Sequence, residues 1–177
     1  MVTVFTGGAN CCHGMFVFRY VGDRYRGRFF DSGKGGYVFR NLDRRGPFEI
    51  VSHDNRFNYL FTSGAESVMP IRIYSYQRER LIARTRRFPY HVRQAERATW
   101  RIFQWQRASG GDVRGALAAW SANKYLLGEG EDVWFTLDEL ASRGELSVPQ
   151  YAIGPTGRAF IRPLRRKLEA FGYLRFT

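Results

Sequence analysis

Residues 71–103, IRIYSYQRERLIARTRRFPYHVRQAERATWRIF, hold the change of period that decides the fold. Along Ile71–Tyr76 the side chains alternate. Ile71, Ile73 and Ser75 share one face of a strand, and Arg72, Tyr74 and Tyr76 share the other. Beyond Pro89 the period becomes helical. Val92, Ala95, Thr99, Ile102 and Phe103 fall on one helix face, while Arg93, Arg97 and Arg101 line another at i, i+4 spacing. Pro89 suits the first turn of that helix, because its missing N–H has no partner to lose there. The break between the two regimes lies near residues 86–91.

Upstream of that break the chain predicts strands. Phe16–Tyr20, Phe48–Ser52 and Phe57–Phe61 are rich in aromatic and β-branched residues, and Gly22-Asp23, Ser32–Gly36, Arg45-Gly46-Pro47 and Ser63-Gly64 separate them as turns. Downstream, Asp112 is placed to cap a helix over 113–127 that Gly128 ends. Thr136–Glu139 has the form of a capping box before a short helix closed by Gly144. A last helix is expected from Thr156, with Phe160, Leu164, Leu168 and Phe171 inward. Pro163 would kink it or delay its regular part to about Arg162. The expected class is α+β: an antiparallel β meander over 1–88, propeller-blade-like, followed by a helical bundle over 89–177. The expected core comprises Phe16, Phe18, Ile50, Phe61, Ile73, Trp100, Phe103, Leu117, Trp120, Leu164 and Leu168.

Composition allows a packed core and excludes a disordered chain: 44% of the 177 residues are apolar and 16% aromatic. No run approaches the roughly 20 apolar residues of a membrane-spanning helix. Met1–Thr6 already alternates like a strand, so no signal peptide is expected within it; the chain is read as intracellular, or as beginning downstream of the native start. The formal charge is +12, with 25 arginines among 28 basic residues. The excess is spread along the chain rather than held in a tail. Such a surface favours nucleic acid, anionic lipid or an acidic polymer.

Reactive side chains do not gather in the sequence. Cys11 and Cys12 are adjacent and too close, with only His13 beside them, for the spaced ligands of a structural zinc site; two thiols are the expectation. His13, His53 and His91 are dispersed. His53 and Asp54, as strand neighbours, would point to opposite faces. The segment Asn41–Glu49 has the layout of a calcium loop, with Asn41, Asp43 and Glu49 at ligand positions and Gly46 at the turn. Arg45 occupies a ligand position and Arg44 adds charge, so the loop is read as one that has lost its metal. No metal, cofactor or catalytic residue is expected, and the chain is not expected to be an enzyme.

Thr6–His13, with its Gly-Gly-Ala-x-Cys-Cys element, and Asn41–Ser52 resemble pieces of the exported FG-GAP/VCBS-repeat proteins of actinobacteria. Asp54–Thr62, Pro70–Tyr74, Gly115–Trp120 and Tyr125–Gly128 extend the resemblance over most of the chain. It implies β-propeller-like blades and an exported or cell-envelope location. Three readings of function follow. The first is a non-catalytic interaction or structural module, touching an envelope polymer or protein. The second is a nucleic-acid binder in which 136–176 is winged-helix-like, with Leu137–Ser142 as first helix, the basic helix Arg158–Phe171 as recognition helix and Tyr173–Phe176 as a wing strand. In either case Arg158, Arg162, Arg165 and Arg166 are the candidate residues for an anionic partner. The third is a carbohydrate-active enzyme using Glu66, Asp54 and His53 near the aromatic sheet.

Overall fold

A computed structural model describes residues 2–8, 11–45, 48–77, 80–146 and 148–174, with the side chains of 5, 6, 8, 11 and 12 left aside. The thiols of Cys11 and Cys12, the calcium-type Gly46 and the end of the supposed wing strand, Arg175-Phe176, therefore lie outside the described residues. Antiparallel sheets come first and helices second, the α+β order expected from the sequence. The chain divides into two compact units. One comprises Met1–Asn55 and Ile71–Phe88, the other Arg56–Pro70 and Pro89–Thr177.

The sheet unit has a three-stranded sheet, β1 (Val2–Gly8), β2 (Cys11–Val21) and β3 (Arg24–Gly33), in that order. A four-stranded sheet follows, with β4 (Tyr37–Arg40), β5 (Glu49–His53), β6 (Ile71–Gln77) and β7 (Arg80–Ala83), also in chain order. All pairings are antiparallel. A propeller closes on itself with about four to eight such blades. The described residues form one four-stranded sheet and one three-stranded sheet, so the propeller-like expectation is corrected. Met15 and Phe30 of the first sheet pack with Ile50 of the second. Along β6, Ile71, Ile73 and Ser75 are buried and Arg72, Tyr74 and Tyr76 half-buried, the alternation read from the sequence. The register of β2 is the reverse of the expected one. Met15 is fully buried, while Phe16 and Phe18 are 39% and 42% exposed. A period of two fixes which residues share a face but not which face is inside.

Phe57–Phe61 is not a strand. Asn55–Phe57 forms a 3₁₀ turn, and Tyr59 adopts φ +56°, which no strand accommodates. The Tyr59 ring lies against Gly64, where an added Cβ would sit 2.2 Å from it. This segment serves the helical unit instead. Phe57 is buried in its core, and Leu60 and Phe61 pack against the same cluster.

The helical unit is built around α2 (Arg114–Leu126). After Arg114 its sequence GALAAW, Gly115–Trp120, is small or apolar around the whole circumference, as suits a helix enclosed on every side. Gly115 to Asn123 are all buried. Packed with it are α1 (Pro89–Ala108) and α3 (Glu131–Ser142). Trp120 lies against Trp100, ring centroids 5.0 Å apart, and its Nε1 donates to Glu96 (2.8 Å). The expected capping box at Thr136 is corrected: Thr136 lies mid-helix, and α3 begins five residues earlier, with Glu131 and Asp132 in the first turn where acids complement the helix dipole. Gly144, at φ +72°, closes α3 as expected. A 3₁₀ turn, Gly157–Phe160, leads into α4 (Ile161–Ala170). That start puts Pro163 in the first turn, where its missing N–H costs no hydrogen bond. Phe160, Leu164 and Leu168 are fully buried in the core, with Phe171 packed beside them.

Candidate functional site

The last helix separates cleanly into two faces. Leu164 and Leu168 are buried, and Arg162, Arg165, Arg166 and Lys167 are exposed. The guanidinium of Arg165 lies 4.5 Å from the centre of the Trp134 ring, a cation–π contact that fixes its direction. Arg158 precedes the helix and pairs with Asp138 at 2.9 Å, both side chains largely exposed. Of the four expected residues, three therefore share the exposed side of α4 and one is engaged by an acid of α3. The expected wing strand is absent at Tyr173 and Leu174. Tyr173 is buried and Leu174 packs on the core, anchored by the bond from Tyr173 N–H to the Leu168 carbonyl (2.9 Å).

In the calcium-like loop, carboxylates bind backbone rather than a cage. Asp43 Oδ1 accepts the Arg45 N–H (2.8 Å), an Asx turn, and Glu49 Oε2 accepts the Leu42 N–H (2.9 Å). Arg44 takes φ +56° within that turn. Asp43 and Glu49 line a cleft shared with Arg45, Arg84 and Arg87. No group of three or more potential metal-binding side chains occurs among the described residues. His53 is the last residue of β5 and Asp54 follows it outside the strand, so the two are not strand neighbours, and they take different partners. His53 Nδ1 meets the Gly35 carbonyl at 3.3 Å, and burial pulls its pKa below the ordinary range. Asp54 is buried and pairs with Arg72 at 3.2 Å.

One polar constellation in the helical unit was not foreseen as a group. A cleft of about 400 Å³ is lined by Tyr59, Ser63, Glu66, Asp112, Arg114, Tyr151 and Ile153–Pro155 among others. At its base, Arg114 and Asp112 are each 1% exposed. Arg114 Nη2 donates to Asp112 Oδ2 (2.6 Å) and its Nε to Oδ1 (2.9 Å). Its Nη1 donates to the carbonyls of Ile153 (3.1 Å) and Pro155 (3.0 Å). Asp112 Oδ1 also accepts the Arg114 N–H (3.1 Å); the N-cap is Val113 rather than the expected Asp112, which reaches the first residue of α2 from one position upstream. Glu66 lies above the pair. Its Oε1 accepts Tyr151 OH (2.8 Å) and the Asp112 N–H (3.2 Å), and Oε2 accepts Ser63 OH (3.0 Å). Burial raises the Glu66 pKa, but these donors and the Arg114 charge outweigh it, and the carboxyl lies below its usual range. The same bond raises Tyr151. Chemically this is a clamp. Each ion is spent on another group of the protein, and together they bind the 63–66 turn, the start of α2 and the 151–155 loop. One signal for Arg114 was present in the sequence: a charge at the head of the small and apolar run Gly115–Trp120 must find a partner.

Comparison with known proteins places the helical unit in context. Residues 91–154 match the family described as the sll0997 C-terminal domain. The chain is 32% identical over 142 residues to a probable thylakoid lumen protein, sll0997, of Synechocystis sp., covering 77% of this chain and 42% of that protein. It is 30% identical over 135 residues to the uncharacterized protein y4bJ of Sinorhizobium fredii, covering 72% of this chain and 20% of y4bJ. The chain thus spans less than half the length of either relative. No solved structure gives a significant match. These findings overturn the resemblance to FG-GAP/VCBS-repeat proteins, whose strand-and-loop elements are too short to carry family identity. What the chain is similar to is sll0997, through that protein's C-terminal domain over 91–154 and more loosely across most of the sequence.

Proposed function

We propose that this protein is a non-catalytic interaction module that receives an anionic partner on the exposed side of α4. The carrying observation is the helix itself: Arg162, Arg165, Arg166 and Lys167 stand exposed within six residues, on a backbone fixed by the buried Leu164 and Leu168. A row of cations on a rigid support loses little entropy on binding. The Arg165–Trp134 contact pre-orients one of them. Arg158 joins this face once an anion competes for it, because exposed pairs such as Arg158–Asp138 contribute little. The non-catalytic part of the reading is supported by the clamp at Glu66, whose ionised groups are already committed to intramolecular bonds. The likeness to a probable thylakoid lumen protein supports an exported or lumenal setting, and there the partner is an acidic polymer or the acidic surface of another protein.

The test is retention on immobilised heparin. The full chain should elute at a salt concentration that falls clearly in the double variant Arg162→Ala/Arg166→Ala, with the far-ultraviolet spectrum unchanged. Each lost ionic contact should also lower the salt dependence of binding by about one counterion. Equal elution of the variant and the parent would remove α4 from the interaction.

A further inference from the structure

The reversed register of β2 puts an aromatic surface on the outside of the first sheet. Phe16 stands opposite Val2 of β1 and Phe29 of β3, and Tyr20 stands opposite Tyr25, so these side chains and Phe18 share one side. Besides Phe16 and Phe18, Val2 is 54%, Phe29 52%, Tyr20 61% and Tyr25 73% exposed. The ring pairs are tilted, by 53° for Phe16–Phe29 and 58° for Tyr20–Tyr25. The Phe18 ring lies over Gly27, where an added Cβ would come within 2.6 Å of it. From Phe16 to Tyr20 the patch runs about 13 Å along the hairpin. The next charge on that side, Asp31, stands opposite Gly14, one row beyond Phe29, and its Oδ1 accepts the Gly33 N–H (2.8 Å).

The arginines of the hairpin lie on the other side. Arg28 stands opposite Val17, Arg19 opposite Arg26 and Arg24 opposite Val21, and all four arginines are exposed. No acidic residue pairs into those rows. The same side becomes core only further along, where Met15 and Phe30 meet Ile50. The outer end of the hairpin is thus an amphipathic ribbon, with rings on one face and guanidinium groups on the other.

Contiguous exposed apolar surface marks a binding site, and the division of the ribbon selects the partner. A protein docked on the rings, or a second copy of this chain, would leave the arginines facing away from it. A lipid surface touches both faces of a ribbon that settles into it, the arrangement of amphipathic segments with basic polar faces. Side chains reach about 5 Å from a sheet, half the spacing of two packed sheets. The headgroup layer of a bilayer is about 5–8 Å deep. With the backbone at the base of that layer, the rings enter the acyl boundary and the arginine stems carry their charges up among the phosphates. Tilted rings suit fluid chains, which need no rigid match. Like charges opposite one another on a sheet repel, so the Arg19–Arg26 row gains from surrounding anions.

We propose that the β2–β3 hairpin seats on the surface of an anionic lipid bilayer with its rings inward. The site lies on different residues from α4 and in the other unit of the chain. The probe is vesicles of mixed phosphatidylcholine and phosphatidylglycerol, with vesicles of phosphatidylcholine alone beside them, and binding of the full chain is followed by co-sedimentation. The chain should prefer the mixed vesicles. Tyr20→Ser/Tyr25→Ser should bind them roughly 10- to 100-fold more weakly, the apolar burial of two half-open rings. Tyr20→Phe/Tyr25→Phe, which keeps both rings, should bind like the parent. Arg19→Gln/Arg24→Gln should bind the mixed vesicles about 5- to 25-fold more weakly and the neutral ones unchanged, a loss that no partner confined to the rings would give. An unchanged circular dichroism melt controls for folding, and Tyr25→Ser alone carries the ring test if the double variant melts early. No binding, equal binding by the serine variant, or an arginine variant equal to the parent on mixed vesicles overturns the proposal. So does ring-dependent self-association in sedimentation without lipid. Vesicle binding abolished by Arg162→Ala/Arg166→Ala but untouched by the ring variants would sink the hairpin and leave α4 standing. Ring-dependent vesicle binding with heparin retention unchanged in that α4 variant would do the opposite.

Discussion

Replacing Asp112 by alanine should be among the most damaging single changes in the helical unit. Asp112 supplies both acceptors of a bidentate pair that is 1% exposed, and it accepts the first free N–H of α2. Without it, the Arg114 guanidinium stays buried with only two carbonyls, from Ile153 and Pro155. Stranding one member of a buried pair costs about 3–5 kcal/mol, and the lost helix-start bond falls within that sum. For a unit of this size an m-value of about 2 kcal/mol/M converts this to a fall of about 2 M in the urea midpoint. The assay has a built-in reporter. All four tryptophans, Trp100, Trp105, Trp120 and Trp134, lie in the helical unit, so tryptophan emission follows its unfolding. Asp112→Ala/Arg114→Met removes both charges and should recover a substantial part of the loss, since an apolar replacement strands nothing. A single-variant loss below about 1 kcal/mol, or a double variant worse than the single, would refute the assignment of this pair as a mutually dependent clamp.

Other changes probe neighbouring parts of the same unit. Gly115→Ala should destabilise by about 1–3 kcal/mol in the same urea melt, although alanine usually strengthens a helix, because the new Cβ would meet the Glu66 carbonyl at 2.8 Å; a stabilised variant would show that α2 has room there. Trp120→Ala should cost about 3–5 kcal/mol, and a loss under about 1 kcal/mol would place that face outside the core. Glu129 gives a pH signature. Its bond from Arg93, reinforced by Lys124, holds the carboxyl at about 2 against an ordinary 4.5. A depressed carboxylate contributes stability that is present above about 4.5 and is lost as pH falls toward 2. Acid titration of tryptophan emission should show that loss, and Glu129→Gln should flatten it; identical acid profiles would discount the Arg93–Glu129–Lys124 network.

The order of elements was readable because it depends on local period. Val92, Thr99 and Phe103 repeat at helical spacing and are buried; Ile71, Ile73 and Ser75 repeat at two and are buried. Two kinds of information were missing. Which face of β2 is inner depends on Met15 meeting Phe30 and Ile50, all distant in sequence, and aromatic weight alone pointed the wrong way. The fate of 57–61 depends on Tyr59 taking a left-handed backbone angle, which no aromatic-rich run announces. The basic row of α4 was legible, since periodicity alone separates Arg162, Arg165 and Arg166 from Leu164 and Leu168. The clamp was not, because Glu66, Asp112 and Tyr151 meet only through tertiary packing. Short elements such as Gly-Gly-Ala-x-Cys-Cys likewise carried less family information than the diffuse identity over 142 residues.

The passage of Arg56–Pro70 into the helical unit has a consequence for dissecting the molecule. The polypeptide changes allegiance at three places, after Asn55, after Pro70 and after Phe88. A single scission therefore cannot release two intact pieces. A fragment beginning at Pro89 would leave an unfilled hole where Phe57 belongs, and the shared block 91–154 alone would also lack Phe160, Leu164 and Leu168. The fragment beginning at Pro89 should behave as a loosened globule until the peptide 56–70 is supplied in trans or spliced back through a short linker, and the block 91–154 should stay loosened even then.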